Sequence, residues 1–255
     1  MSPKAAAGSP VVFLHGLGGG KEDWAEVLAL LPKALRAQAL DLPGSAGGPK
    51  PLQGYDPESL ARWVSAATFR DGITKVRLVG HSLGARVAGE LAALQPERVE
   101  ALVLVSPLGA ASYGLTDKLK WKAMSRRAVI QNAPETSMRN ASGYGFEVEG
   151  VGKRGFVERA TKARTGPDGE AVARAVEKSV DGVLDARPLS ERLRTTRMPL
   201  LVIAGAQDPL APPAASRALL KARPDARFEE LAGLGHYPML EDPARVAALL
   251  KTFLA

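Results

Sequence analysis

Apolar residues fall along the chain in short continuous runs at 11–14, 37–42, 76–79, 101–105 and 200–204. Each run ends in turn residues: His15-Gly16, Pro43-Gly44, Gly80, Ser106-Pro107 and Gly205. Strands covered on both faces read this way, because neither side of the strand meets water. A sixth, more polar run at 228–231 reads as an edge strand. Residues 22–35, 57–67, 83–94, 214–222 and 243–254 carry apolar positions at helical spacing, and Pro96 follows the third. Strands that alternate with helices predict a mostly parallel sheet of about six to eight strands with helices on both faces. The crossovers should be right-handed.

The stretch 108–194 breaks this rhythm. It offers no convincing strand and is rich in Lys and Arg. Amphipathic pieces at 117–130, 155–164 and 169–183 are punctuated by Asn132-Ala133-Pro134, Gly143 to Gly145 and Gly166-Pro167. A structureless loop of that length is rare in a compact domain. The expected organisation is therefore an α/β core from 1–107 and 195–255, with 108–194 inserted as a helical cap. No internal repeat or low-complexity tract stands out.

Composition narrows the chemistry. The 255 residues are 45% hydrophobic and 24% charged, ordinary for a folded globular protein. Cysteine is absent, which removes disulfides, thiolate nucleophiles and thiolate metal sites. Three scattered histidines do not suggest a metal centre, and no cofactor is expected. No apolar run has the length of a membrane span. The opening residues Met1 to Pro10 lack a secretory pattern, so a cytoplasmic location is expected. The net charge of +7 and pI near 9.7 describe a basic surface. Lys118, Lys120, Lys122, Arg126 and Arg127 form one basic run, and Lys153, Arg154, Arg159, Lys162 and Arg164 another. No nucleic-acid-binding motif accompanies them. The partner expected is a small-molecule substrate, anionic or carried on an acidic carrier protein.

The sharpest motif is Gly80-His81-Ser82-Leu83-Gly84, a G-x-S-x-G between an apolar strand and an Ala/Leu-rich helix. That context turns the motif into a strand-to-helix elbow with an exposed serine hydroxyl at a helix N-terminus. Serine needs a base to become a nucleophile. Of the histidines, His81 adjoins the serine and should point away from it. His15 ends the first strand. His236, in Gly235-His236-Tyr237, follows the last strand and is the expected base. Asp208, after the strand at 200–204, is the expected acid; Asp225, Glu229 and Glu230 are rivals that do not follow a strand end. The glycine loop His15-Gly16-Leu17-Gly18-Gly19-Gly20 follows the first strand. The amides of Leu17 and Leu83 are the expected donors to an oxyanion.

Together these motifs resemble the α/β-hydrolase superfamily. The resemblance rests on His15-Gly16-Leu17-Gly18, Asp41-Leu42-Pro43-Gly44, Gly80-His81-Ser82-Leu83-Gly84, Gly205-Ala206-Gln207-Asp208 and Gly235-His236, in the family's order. It implies an eight-stranded sheet beneath a cap, with Ser82, Asp208 and His236 as catalytic triad. The first strand here begins at Val11, so the family's N-terminal hairpin is missing or vestigial and six parallel strands can be the whole sheet. No histidine follows Asp41-Leu42-Pro43-Gly44, unlike in many members. Family dehalogenases and epoxide hydrolases carry aspartate in place of Ser82, which excludes both.

What remains is a serine hydrolase cleaving a carboxylic ester, thioester or lactone through an acyl-enzyme. One alternative is a lyase or carbon–carbon hydrolase using the same triad as a base. The family's menaquinone-pathway synthase has an arginine four residues after its serine, as Arg86 is here. Arg86 could hold a substrate carboxylate or pair with Glu90 one turn on; the commonness of such helix pairs favours the second. Another alternative is a non-catalytic ligand receptor on the same fold. Trp121, Tyr144 and Phe146, with Tyr113 and Phe156, either wall a substrate pocket or form the cap's own core. Tyr237, beside His236, joins Arg86, Trp121, Tyr144 and Phe146 as a candidate substrate-binding residue.

Overall fold

A computed structural model describes residues 8–69, 72–127, 129, 136, 140 and 143–254. The motif Asn132-Ala133-Pro134 and the end of the amphipathic piece 117–130 lie outside the described residues. Six strands form one sheet: β1 (Val11–Leu14), β2 (Ala37–Leu40), β3 (Val76–His81), β4 (Val99–Val105), β5 (Leu200–Gly205) and β6 (Arg227–Leu231). Their order is β2-β1-β3-β4-β5-β6, and every pairing is parallel. The helices are α1 (Ala25–Leu30), α2 (Pro57–Thr68), α3 (Leu83–Leu94), α4 (Leu115–Ser125), α5 (Val151–Thr165), α6 (Gly169–Asp185), α7 (Leu189–Arg192), α8 (Pro213–Ala222), α9 (Pro238–Glu241) and α10 (Pro243–Leu254). Among the described residues, no helix is long and apolar enough to cross a membrane.

Strand periodicity divides the core in two. Val12, Leu14, Leu78, Leu102, Leu104 and Val202 point to one face, against Leu60 and Val64 of α2 and Leu91 of α3. Val11, Phe13, Val79, Val103, Leu201 and Ile203 point to the other, against Trp24, Val27 and α10. Both faces are dry, which is why the strands read as unbroken apolar runs. The chain runs from β1 to β2 on one side and then crosses to β3 on the other. The crevice above β1 and β3 is thus the topological switch point, where ligands bind in such sheets.

Two elements are shorter than their patterns predicted. The helix expected over 22–35 is broken: Lys21–Trp24 is a 3-10 turn, α1 stops at Leu30, and Lys33–Leu35 is another 3-10 turn. Pro32 holds Leu31 extended, at φ −82° and ψ 147°. Strand β2 stops at Leu40 rather than running to Leu42. The Leu42 amide leaves the ladder and donates to His15 Nε2 at 3.0 Å.

Between β4 and β5 the described chain is helical. Helix α6 carries a buried stripe of Val172, Ala173, Val176, Val180, Val183 and Leu184. It packs against α2, and α4 and α5 pack against it. Trp121 of α4 and Val180 and Val183 of α6 share a small cavity with Leu17 and Leu83, which follow β1 and β3.

Candidate active site

Ser82 sits between β3 and α3 with φ 52° and ψ −113°, a strained conformation for a residue with a Cβ. Its N–H donates to the Val105 carbonyl at 2.9 Å and its carbonyl accepts from Arg86 N at 3.1 Å. The elbow is tight enough that a Cβ on Gly84 would collide with the Leu14 carbonyl of β1. Gly16 is equally confined: a Cβ there would lie 2.6 Å from His81 Nδ1 and 3.1 Å from Ser82 Cβ. Glycine at 16 therefore lets the loop after β1 close on the serine.

The sheet brings Ser82, His236 and Asp208 into one line. His236 Nε2 lies 2.9 Å from Ser82 Oγ, and His236 Nδ1 lies 2.8 Å from Asp208 Oδ2. All three residues are buried. The other carboxylate oxygen, Asp208 Oδ1, accepts the amides of Leu210 and Ala211, each at 2.8 Å. Burial works against charge on Asp208, but His236 and these two amides outweigh it and hold the carboxyl below its ordinary range. A carboxylate can only accept, so Nδ1 of His236 carries the proton and Nε2 is left to accept from the serine hydroxyl. The arrangement can therefore take a proton from Ser82 as the oxygen attacks an electrophile. The rivals are engaged elsewhere: Asp225 pairs with Arg223, Glu229 with Arg227 and Glu230 with Arg217.

The other two histidines hold the frame. His15 Nε2 accepts from Leu42 N, so its Nδ1 donates to the Gly16 carbonyl at 2.8 Å. The His81 Nε2–H donates to the His236 carbonyl at 2.8 Å. Burial, and then the neighbouring His236, push the His81 pKa well below its ordinary value, so the ring is neutral. His236 is thus gripped through its own peptide: carbonyl by His81, N–H by the Gly145 carbonyl at 2.6 Å.

Leu17 and Leu83 both face a cavity of about 10 Å³ with Trp121. Leu83 opens α3, so its amide has no acceptor within the helix. The remaining candidates separate. Arg86 is buried; its Nη2 meets Glu90 at 2.9 Å and its Nη1 donates to the Arg187 carbonyl at 2.6 Å. Glu90 also pairs with Arg192. Both terminal nitrogens of Arg86 are thus engaged by protein partners, while its buried Nε has none among the described residues; the geometry favours the helix pair over the carboxylate clamp. Tyr144 is 48% exposed and lines an outer hollow with Lys153 and Arg154, not the cavity at Leu83. Phe146 and Tyr237 stack on each other at 4.1 Å, with Phe156 4.8 Å from Tyr237. Tyr237 in turn lies 5.2 Å from the His81 ring and 5.0 Å from the His236 ring. This aromatic group packs the insertion against the His236 loop rather than lining the cavity.

Sequence reasoning missed Glu241, at the end of α9. Its carboxylate accepts the amides of Gly235, Tyr237, Glu147 and Val148 at 3.0–3.1 Å. The first two flank His236, and the last two belong to the insertion. The available signal was a carboxylate five residues after the histidine, behind a proline that starts a helical turn.

Comparison with known proteins bears on the family and the fold. A sequence model described as the alpha/beta hydrolase family matches residues 11–249. The dihydrolipoyllysine-residue acetyltransferase component of the acetoin cleaving system of Cupriavidus necator is 30% identical over 98% of this chain. The chain spans 65% of that relative's length. An enol-lactonase from Burkholderia xenovorans superposes with TM-score 0.78 at 23% identity, over 98% of this chain and 93% of that one. A thermophilic esterase from Thermogutta terrifontis superposes with TM-score 0.80 at 21% identity, over 97% and 90% of the two chains. With the parallel sheet, the strained serine elbow and a family match across nearly all of its length, the chain belongs to the alpha/beta hydrolase family.

Proposed function

We propose that the protein is a serine hydrolase that cleaves ester-like substrates through an acyl-enzyme on Ser82, with His236 as base and Asp208 as the acid that orients it. One observation carries the reading: an unbroken hydrogen-bonded line from Asp208 through His236 to a serine held in a strained turn. In this route His236 Nε2 takes the Ser82 proton as Oγ bonds to the carbonyl carbon. The carbonyl π electrons move to oxygen, where the amides of Leu17 and Leu83 hold the charge. The tetrahedral intermediate collapses, and His236 gives its proton to the leaving group. Water, deprotonated by the same histidine, then releases the acid and restores the serine. Helices α4 to α7 act as a cap over this site.

The substrate class spans carboxylic esters, thioesters and lactones. Thioesters are included because the Cupriavidus necator relative bears the name of a dihydrolipoyllysine-residue acetyltransferase component. The net charge of +7 supports an anionic substrate or an acidic carrier protein as partner.

The test is labelling by a fluorophosphonate probe, which reacts with an activated serine. Wild type should label and Ser82→Ala should not, while both melt as folded proteins. A folded wild type that stays unlabelled, or a Ser82→Ala variant that labels equally, refutes the assignment.

A further inference from the structure

The cavity beside Leu17 and Leu83 holds about 10 Å³, room for one water-sized or methyl-sized group. Leu108, Tyr113, Trp121 and Val183 are among its other walls. A second hollow of about 290 Å³ lies between the end of β4, α4 and the loop after Asp208. Its walls include Pro107, Met124, Leu210 and Pro212. Tyr113 and Trp121 line both spaces and, among the described residues, no other does. Two aromatic side chains thus stand between a methyl-sized space beside Leu83, the residue after Ser82, and a much larger hollow. Tyr113 is fixed in place, its phenol oxygen accepting the Gly109 amide at 3.0 Å. Trp121 is half-buried and has no such tether among the described hydrogen bonds.

We propose that Tyr113 and Trp121 form a wall that limits the acyl group accepted at Ser82 to about acetyl size, and that the hollow behind it is extension space the wall denies. This rests on the serine-hydrolase reading above and names its substrate class: short-chain acyl esters and thioesters. An acetyl group needs space for one methyl beyond its carbonyl, which is what the cavity provides. Each further methylene gains about fourfold if it finds an apolar site, and loses that gain if it does not. Trp121, half-buried and packed beside the fixed Tyr113, fills the path a longer chain would take into the larger hollow. Trp121 is therefore a specificity-determining residue, and Tyr113 the fixed half of the same wall.

The experiment compares wild type, Trp121→Phe and Trp121→Ala on p-nitrophenyl acetate, butyrate and octanoate, reading the octanoate-to-acetate ratio of kcat/KM. Wild type should favour acetate by at least about tenfold, and the ratio should rise about a hundredfold in Trp121→Ala, with Trp121→Phe between. Octanamide, which is not turned over on this timescale, gives a second reading by calorimetry. It should bind Trp121→Ala at least about tenfold more tightly than wild type. Trp121→Leu replaces the alanine variant if the latter does not melt cooperatively. A wild type that prefers octanoate, or a ratio and an octanamide affinity unchanged across the variants, overturns the proposal. If none of the esters is cleaved in a Ser82-dependent manner, the hydrolase reading fails by itself, and octanamide affinity still decides whether Trp121 closes the larger hollow.

Discussion

Replacing Glu241 by alanine removes the acceptor for four amides at once: Gly235, Tyr237, Glu147 and Val148. Gly235 and Tyr237 are buried residues, so their N–H groups would be left without water. A buried amide deprived of its partner costs about 1 kcal/mol or more. Glu147 and Val148 are exposed, and water takes over most of their loss, leaving about 0.5 kcal/mol each. The total is about 3 kcal/mol, which in a protein of this size lowers Tm by roughly 6–12 °C. The functional effect should be larger than the stability loss suggests. His236 lies between the two buried amides, and a base displaced by an ångström loses about a hundredfold in rate. Calorimetric unfolding reads the first quantity, and the rate of fluorophosphonate labelling at a temperature where both proteins are folded reads the second. Glu241→Gln, which keeps one acceptor oxygen, should fall between wild type and Glu241→Ala in both assays. A Glu241→Ala protein with Tm within about one degree of wild type and an unchanged labelling rate would refute the argument that this carboxylate positions the base.

Asp208→Asn should keep the fold and lose about ten-thousandfold in turnover, because the amide no longer holds His236 Nδ1 as a donor; a near-normal kcat would assign the acid elsewhere. His81 titrates well below 6.5 in the folded protein, so below that pH the unfolded chain binds the extra proton first. Stability from this group is complete above about pH 6.5 and falls as pH drops toward the folded pKa, by up to about 1.4 kcal/mol per unit. His81→Gln can still donate to the His236 carbonyl but cannot titrate, so its Tm should drop less than that of wild type between about pH 7 and about pH 5; equal drops would refute the reading. Arg86→Leu leaves the buried Glu90 with Arg192 alone and should cost about 3 kcal/mol in denaturant unfolding. The same variant should raise KM equally for anionic and neutral esters, and a rise confined to the anionic ester would restore the carboxylate clamp.

The central strands and the serine elbow were legible because each rests on a local rule. A strand covered on both sides must be apolar at every position, and a serine on a strand-to-helix turn needs small neighbours. Chain order then singled out His236, and its place after a strand end singled out Asp208. The reading faltered where direction, rather than identity, decides. Phe146 and Tyr144 are two residues apart, yet one stacks on Tyr237 and the other faces solvent. A cluster of aromatics in sequence says nothing of where each ring points. Arg86 had two eligible partners, and only the fold could bring the Arg187 carbonyl and Arg192 to the same place. The break at Pro32 was visible in principle, since a proline forces the preceding residue out of helical conformation. For Glu241 the sequence offered only a carboxylate shortly after His236 and Pro238; that it also collects the amides of Glu147 and Val148, far away in the chain, needed the fold.

Ser82 and Ser106 both have left-handed φ, at the ends of neighbouring strands β3 and β4. Glycine adopts such angles without penalty, so at position 82 it would relieve about 1–3 kcal/mol. At this position backbone strain favours glycine, while the acyl-enzyme route proposed above requires the hydroxyl. Glycine here would also leave the buried His236 Nε2 without its partner. On the proposed route the serine is thus held by its chemistry and by that hydrogen bond, against a turn that glycine would relax.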